Sequence, residues 1–176
     1  AFVLIEKYDT AKARDVNIYG EISGVSVCSD GYKLNECEPS GKFLTYVINK
    51  SIEDASIEPK EIDCTLSSAA SLKDLDVIEA KGIRNALGKY ADNCLVSSIK
   101  GATGTLSSVD LFFNIIIGCL AIKNELIPPT LNYVYYDPEC DLNVVKNNFI
   151  SKNINYLLIT DCFWDGFYSS VVLKKC

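Results

Sequence analysis

The sequence predicts an α/β domain whose helices cover a mixed central sheet. Three observations carry this. Segments with the alternating or continuous apolar patterns of strands take turns with segments at helical spacing. Hydrophobic residues make up 48% of the 176 residues and charged residues 23%, which is enough for one sizeable core. Short Gly, Pro and polar clusters separate the segments, and no linker divides the chain, so residues 1–176 are read as a single domain.

The elements follow in order. Phe2 to Glu6, "FVLIE", is a continuous apolar run and reads as a buried strand. "KYDTAKARD" makes a short helix or turn. "VNIYGEISGVSVCS" is a long β-branched strand, with Gly20 and Gly24 as points of bulge or bend. Residues 29–41 are a loop punctuated by "SDGY" and "EPSG". From Lys42 the period becomes helical: Phe43, Leu44, Val47, Ile48 and Ile52 share one face, with Ser40 as the cap. A Pro turn then leads into a short strand from Ile62 to Leu66. "KDLDVIEAKGIRNALGKYA" is a second helix, with Leu75, Ile78, Ile83 and Leu87 on one side. "NCLVSS" is another short strand. Thr105 to Asn124 reads as a third helix, apolar nearly all round and therefore buried. It stops before "IPPT", because Pro cannot continue it. "CDLNVVKN", "INYLLITDC" and "YSSVVLKKC" are strands, the last two suited to antiparallel pairing.

The totals exclude several functions. A net charge of −6 argues against nucleic acid and against anionic membrane surfaces, both of which call for basic patches. No segment reaches the roughly 18 apolar residues of a membrane span. "AFVLIEKYD" has no basic region or cleavage site, so no signal peptide is expected and the location is read as cytoplasmic. With no Met at its start, the chain reads as a piece of something longer. Its eight cysteines include no CxxC, and there is no histidine anywhere, so no metal or other cofactor is expected. The thiols read as small buried hydrophobes.

Several segments resemble the C-terminal half of a β-ketoacyl-acyl carrier protein synthase: "KNELIPPTLNYVYYDPECDLNVV", with its Pro-Pro-Thr helix exit, "FVLIEKYDTAKARDVNIYGEISGVSVCSDGY", "SIEDASIEPKEID" and "CLVSSIKGATGTLSS". The resemblance spans essentially the whole chain. It implies a thiolase-like fold of two pseudo-repeated halves, of which this chain holds the second. Residues 1–28 would be strands at the end of the first half. The family chemistry is decarboxylative condensation, with a cysteine that takes the acyl group and two histidines that help decarboxylate malonyl-carrier. The cysteine would lie upstream of this chain.

Against the family motif H-G-T-x-T-x-x-G-D the sequence reads "SSAASLKDLD", which puts Ser68 at the histidine and keeps Asp76, with Glu79 just beyond. Against K-x-x-x-G-H it reads "KGATGT": Lys100 and Gly104 stay, and Thr105 stands for the second histidine. Against G-F-G-G-T-N it reads "FWDGFY", where only Gly166 survives. Hydroxyls do not titrate near neutrality as imidazole does.

Lys100 is read as a buried ammonium paired with Asp76 or Glu79, since an unpaired one would be costly. A Ser68–Lys100 dyad and a Cys162 nucleophile are weighed and set second, because the neighbouring Asp161 and Asp165 would raise the thiol pKa. Cys162, Phe163, Trp164, Phe167 and Tyr168 are expected to fill the pocket or the core. "YVYY", Tyr133 to Tyr136, reads as a strand with one face free for contact. The leading expectation is a non-condensing ketosynthase-like partner of a chain-length-factor kind, or half of a split ketosynthase. Its partner would be an active ketosynthase or an N-terminal-half chain, with acyl carrier protein a further candidate. The alternatives are an acyl-transfer or thioester-hydrolysing enzyme on the same fold, and a non-catalytic module binding acyl carrier protein or an acyl chain.

Overall fold

The computed structural model describes residues 2–176, the side chain of Ser108 apart. In chain order the main elements are α1 (Tyr8–Ala13), β1 (Glu21–Ser29), α2 (Lys42–Asp54), β2 (Cys64–Leu66), α3 (Lys73–Leu87), β3 (Leu95–Ser97), α4 (Lys100–Thr103) and α5 (Asp110–Asn124). After them come β4 (Leu126–Ile127), β5 (Asn143–Val144), β6 (Ile150–Ser151), β7 (Tyr156–Cys162) and β8 (Phe167–Lys174). Six strands form one mixed sheet in the order β1-β8-β7-β2-β3-β5. β7, β2, β3 and β5 run parallel, and β8 and β1 are added antiparallel at one side.

Strand alternation decides which layer each side chain joins. On β7, Leu158 packs with α2 and α3, against Leu44, Ile48, Ile78 and Ile83. Its neighbours Leu157 and Ile159 pack the other way, with Ile115 and Ile122 of α5. β8 repeats this, with Tyr168 and Val172 on one face and Val171 and Leu173 on the other. Both strands are therefore buried on two sides, which explains their continuous apolar runs. The antiparallel pairing expected of them is seen from Tyr156↔Lys174 to Cys162↔Tyr168. At Gly24, α2 crosses β1 so closely that a Cβ would lie 2.0 Å from the Ser51 carbonyl oxygen. The ladder shifts register between Ile22 and Gly24, as the expected bulge requires.

Four local expectations are corrected. Residues 2–6 form no strand, and Phe2, Leu4 and Ile5 are exposed, because no strand of this sheet lies beside them. The buried helix starts at Asp110, not Thr105; the stretch before it is the short α4 and a 3-10 turn. Gly41, not Ser40, directly precedes α2, although the Ser40 hydroxyl does accept the Lys42 N–H at 3.3 Å. Tyr133 to Tyr136 are loop rather than strand, with Val134, Tyr135 and Tyr136 exposed.

Candidate functional site

The parallel strands β2, β3 and β7 all end on the same edge of the sheet, where the loops that follow them meet. In open α/β sheets this edge is where ligands bind. The loop after β2 carries Ser68, the turn after β3 carries Lys100 and Thr105, and the β7–β8 turn carries Trp164 and Gly166. A cavity of about 740 Å³ opens there, bordered by Asp76, Ser98, Lys100, Thr105, Thr130 and Tyr133 among others. A recess of about 20 Å³ shares Asp76, Glu79, Lys100 and Thr105 with it and adds Ser68, Cys162 and Trp164. Ser68, Asp76, Glu79, Lys100, Thr105, Cys162 and Trp164 thus come together, and Phe167 and Tyr168 do not.

Glu79 is the hub. It is buried on α3, and its Oε1 accepts the Ser68 N–H (2.8 Å), the Ser68 hydroxyl (3.1 Å) and the Thr160 hydroxyl (2.7 Å). The Cys162 N–H donates back to Ser68 Oγ at 3.2 Å. Ser68 is therefore tied to Glu79 and β7, not to Lys100. Burial pushes the Glu79 carboxyl up to about 7 against these donors. Burial also raises Asp76, offset by the N–H groups of Ala70, Ser71 and Leu72.

Lys100 pairs with Asp110, at 3.3 Å, with both side chains more than nine-tenths buried. This corrects the expected pairing with Asp76 or Glu79. Asp110 Oδ1 also accepts the Leu106 N–H at 2.9 Å, so one carboxylate holds the turn before α5 and the ammonium after β3. Asp161 lies within the field of this pair. Burial raises it to about 6, with Lys100 opposing and Asp110 and Asp165 adding to the rise. Its Oδ1 is buried without a hydrogen-bond partner among the described residues. Asp110 is not among the residues the sequence motifs single out. A charged residue at the head of the apolar run "DLFFNIIIGCLAI" was itself the signal.

The cysteine and the aromatic residues are also placed differently from one another. Cys162 is buried, and its thiol is pushed far above the ordinary range, by burial first and by Glu79 next, which leaves no thiolate nucleophile there. Tyr168 is core: it is 1% exposed, stacks on Phe43 at 6.1 Å, and donates to Asp30 Oδ2 at 2.8 Å. Trp164 and Phe167 are 48% and 56% exposed, so they do not fill the core as expected. The tight turn sends them outward: Gly166 takes φ 76° and its N–H donates to the Phe163 carbonyl, while the Phe163 N–H donates to the Phe167 carbonyl.

Comparison with known proteins matches residues 19–134 to the family "Beta-ketoacyl synthase, C-terminal domain". The chain is 33% identical over 173 residues to the 3-oxoacyl-[acyl-carrier-protein] synthase 2 of Staphylococcus aureus (strain COL). It is 30% identical over 175 residues to the enzyme of the same name from Coxiella burnetii. It covers 42% of the length of each of these relatives. Among solved structures, a type II PKS acyl-carrier protein in complex with its ketosynthase bound to the hexaketide superimposes with a TM-score of 0.94. Identity there is 27%, over 97% of this chain and 42% of that one. The ishigamide ketosynthase/chain length factor shares the fold, with a TM-score of 0.89 at 23% identity over 96% of this chain and 41% of that one.

Proposed function

The chain belongs to the β-ketoacyl synthase family, as its C-terminal domain with the thiolase-like fold, and on that premise we propose that it is a non-condensing partner in a ketosynthase assembly. It acts either beside an active synthase, in the manner of a chain length factor, or as one half of a split ketosynthase. Residues 1–28 are then the end of the first half, with β1 as the strand it contributes. The observation that carries this reading is Ser68. It stands where the family resemblance puts a histidine, and its hydroxyl is held between Glu79 and the Cys162 N–H. Thr105, at the second such position, has no titratable group either. Losing one transition-state donor costs on the order of 10²–10³ in rate, and two positions are changed here.

An uncovered face supports the need for a partner. Directly paired residues on neighbouring strands present their side chains on one face. Val27, Ser169 and Asp161 form such a row, and Val25, Val171 and Ile159 the next, on the α5 side of the sheet. There Val25, Val27 and Phe167 are exposed, as is Phe112 of α5. An apolar face of this extent fits burial against another folded half.

The test is an assay of malonyl-carrier decarboxylation and condensation. The chain is assayed alone, then with a co-expressed chain carrying the first half of a ketosynthase. No turnover alone, with a stable complex in the second case, supports the proposal. Decarboxylation by the chain alone overturns it.

A further inference from the structure

The large cavity and the small recess adjoin through shared residues, Lys100 and Thr105 among them, but the rest of their walls differ. Ser68 borders only the recess, whereas Thr105 borders both. Thr105 is exposed, and Ser68 is 5% exposed. A molecule in the cavity therefore meets Thr105 and Lys100 without meeting Ser68.

The lining of the recess joins a polar part, with Ser68 and Glu79, to an apolar part made of Phe163, Trp164, Leu72 and Leu75. Although the β7–β8 turn directs Trp164 outward, about half of this residue is covered, and the same holds for Leu72. These two side chains stand between the recess and solvent. The Trp164 ring leans on Phe163, with 5.4 Å between centroids and 55° between planes. The backbone beneath it is fixed. The Gly166 N–H donates to the Phe163 carbonyl, the Phe163 N–H to the Phe167 carbonyl, and the Asp30 N–H to the Gly166 carbonyl. Clearing the recess thus takes rotation of the indole rather than movement of the loop. A tryptophan suits such a cover, because its large rigid ring is set by only two torsions.

Holding one water takes on the order of 10–15 Å³. The recess, at about 20 Å³, has room for one water and none for a carbonyl with its substituents. We propose that Trp164 is the size-limiting residue of the site: with Leu72 it closes the recess, so that only water-sized molecules reach Ser68, and an acyl thioester in the cavity stops at Lys100 and Thr105. The thioester as the excluded molecule rests on the ketosynthase reading; the closure itself does not. The closure adds a steric barrier to the missing imidazoles, since one ligand cannot engage positions 68 and 105 together.

The experiment measures access by size. Ser68→Cys, a near-isosteric change, and Thr105→Cys are each labelled with methyl methanethiosulfonate and with the bulkier benzyl methanethiosulfonate. Peptide mapping reads each position apart from the eight native cysteines. In Ser68→Cys the bulky reagent should lag the small one by about tenfold more than it does in Thr105→Cys, the scale on which an apolar pocket rejects one methylene too many. Adding Trp164→Gly should remove that excess lag and leave Thr105→Cys unchanged, while Trp164→Phe keeps most of it. The proposal is overturned if Ser68→Cys shows no excess lag, if the lag survives Trp164→Gly, or if Trp164→Gly speeds Thr105→Cys equally. The first comparison retains Trp164, so it decides the matter even if Trp164→Gly fails to fold. Labelling is read on the chain alone, so its outcome and that of the partner assay fail independently.

Discussion

The β7–β8 pair and the loops at its end are adjacent in space and obey different physics. The pair is apolar on both faces, and its polar side chains at Thr160 and Ser170 reach partners on α3 and α2. The loops at the strand ends meet a cluster of buried and half-buried charge carried by α3, α5 and β7. Asp76, Glu79, Asp110 and Asp161 lie around one ammonium, Lys100, and the outer aromatics Trp164 and Phe167 face outward. The contrast separates what a fold needs from what chemistry needs. The scaffold retains complementary packing, while the site retains carboxylates and a lysine without an imidazole to use them.

The largest expected effect comes from breaking the charge pair on the loop side of this contrast. Removing one partner of a buried ion pair typically costs about 3–5 kcal/mol, because the other charge stays behind. Lys100→Met should therefore lower stability by that order, as much as a large core truncation, although Lys100 lies at the mouth of a cavity. Asp110→Asn in addition should recover most of it, since the amide oxygen still accepts the Leu106 N–H. Urea unfolding of the single and double variants checks both. A single variant that costs under about 1 kcal/mol would place the pair with ordinary surface bridges.

Legibility followed the same divide. The strands β7 and β8 and the helices α2 and α3 were readable because their apolar residues repeat at fixed periods and both ends are punctuated. Gly24 was readable as a bulge because Gly inside a strand marks close backbone approach. Phe2 to Glu6 misled for a physical reason: an apolar run makes a strand only where a neighbouring strand offers hydrogen bonds. At the site, the residues that converge were visible through the motif spacing, but their partners were not. Whether Lys100 meets Asp76, Glu79 or Asp110 depends on where α5 begins, and the sequence placed that start five residues early. Trp164 and Phe167 were assigned to the core on side-chain size alone. Which way they face is set by the turn at Gly166, a long-range consequence of Asp30 packing against it.

The second effect is on the pH dependence of stability. Glu79 and Asp161 have folded pKa values of about 7 and about 6, raised by burial above the ordinary 4.5 and 3.8. The unfolded chain ionises first as pH rises, so the folded state binds more protons across this window. Stability from these two groups is fully present below about pH 4, falls as pH rises to about 7, and is level above. For Glu79 the loss is on the order of 3 kcal/mol. Glu79→Gln removes its share, so the midpoint of urea unfolding should fall less steeply between pH 4.5 and 7 than in the parent chain. Parallel slopes would mean that Glu79 is ionised in the folded state throughout.

The smallest effect on stability sharpens the contrast most. Thr105 is exposed at the cavity wall, so Thr105→His should change stability by within about 0.5 kcal/mol. The chain has no histidine, so the variant carries one imidazole, whose ring proton resonances report directly on the site. Asp76, Asp110, Glu79 and Asp161 gather at the loop junction, the last two partly protonated near neutrality, and Lys100 is taken up by Asp110 at 3.3 Å. The remaining field is negative and favours imidazolium. The introduced histidine should therefore titrate above the ordinary value of about 6.5. A neutral imidazole able to accept a hydrogen bond would then be scarce at pH 7, and introducing one would not by itself supply a base. A titration midpoint at or below 6.5 would show that Lys100 controls the field and that the loop region still has the electrostatics of a working site.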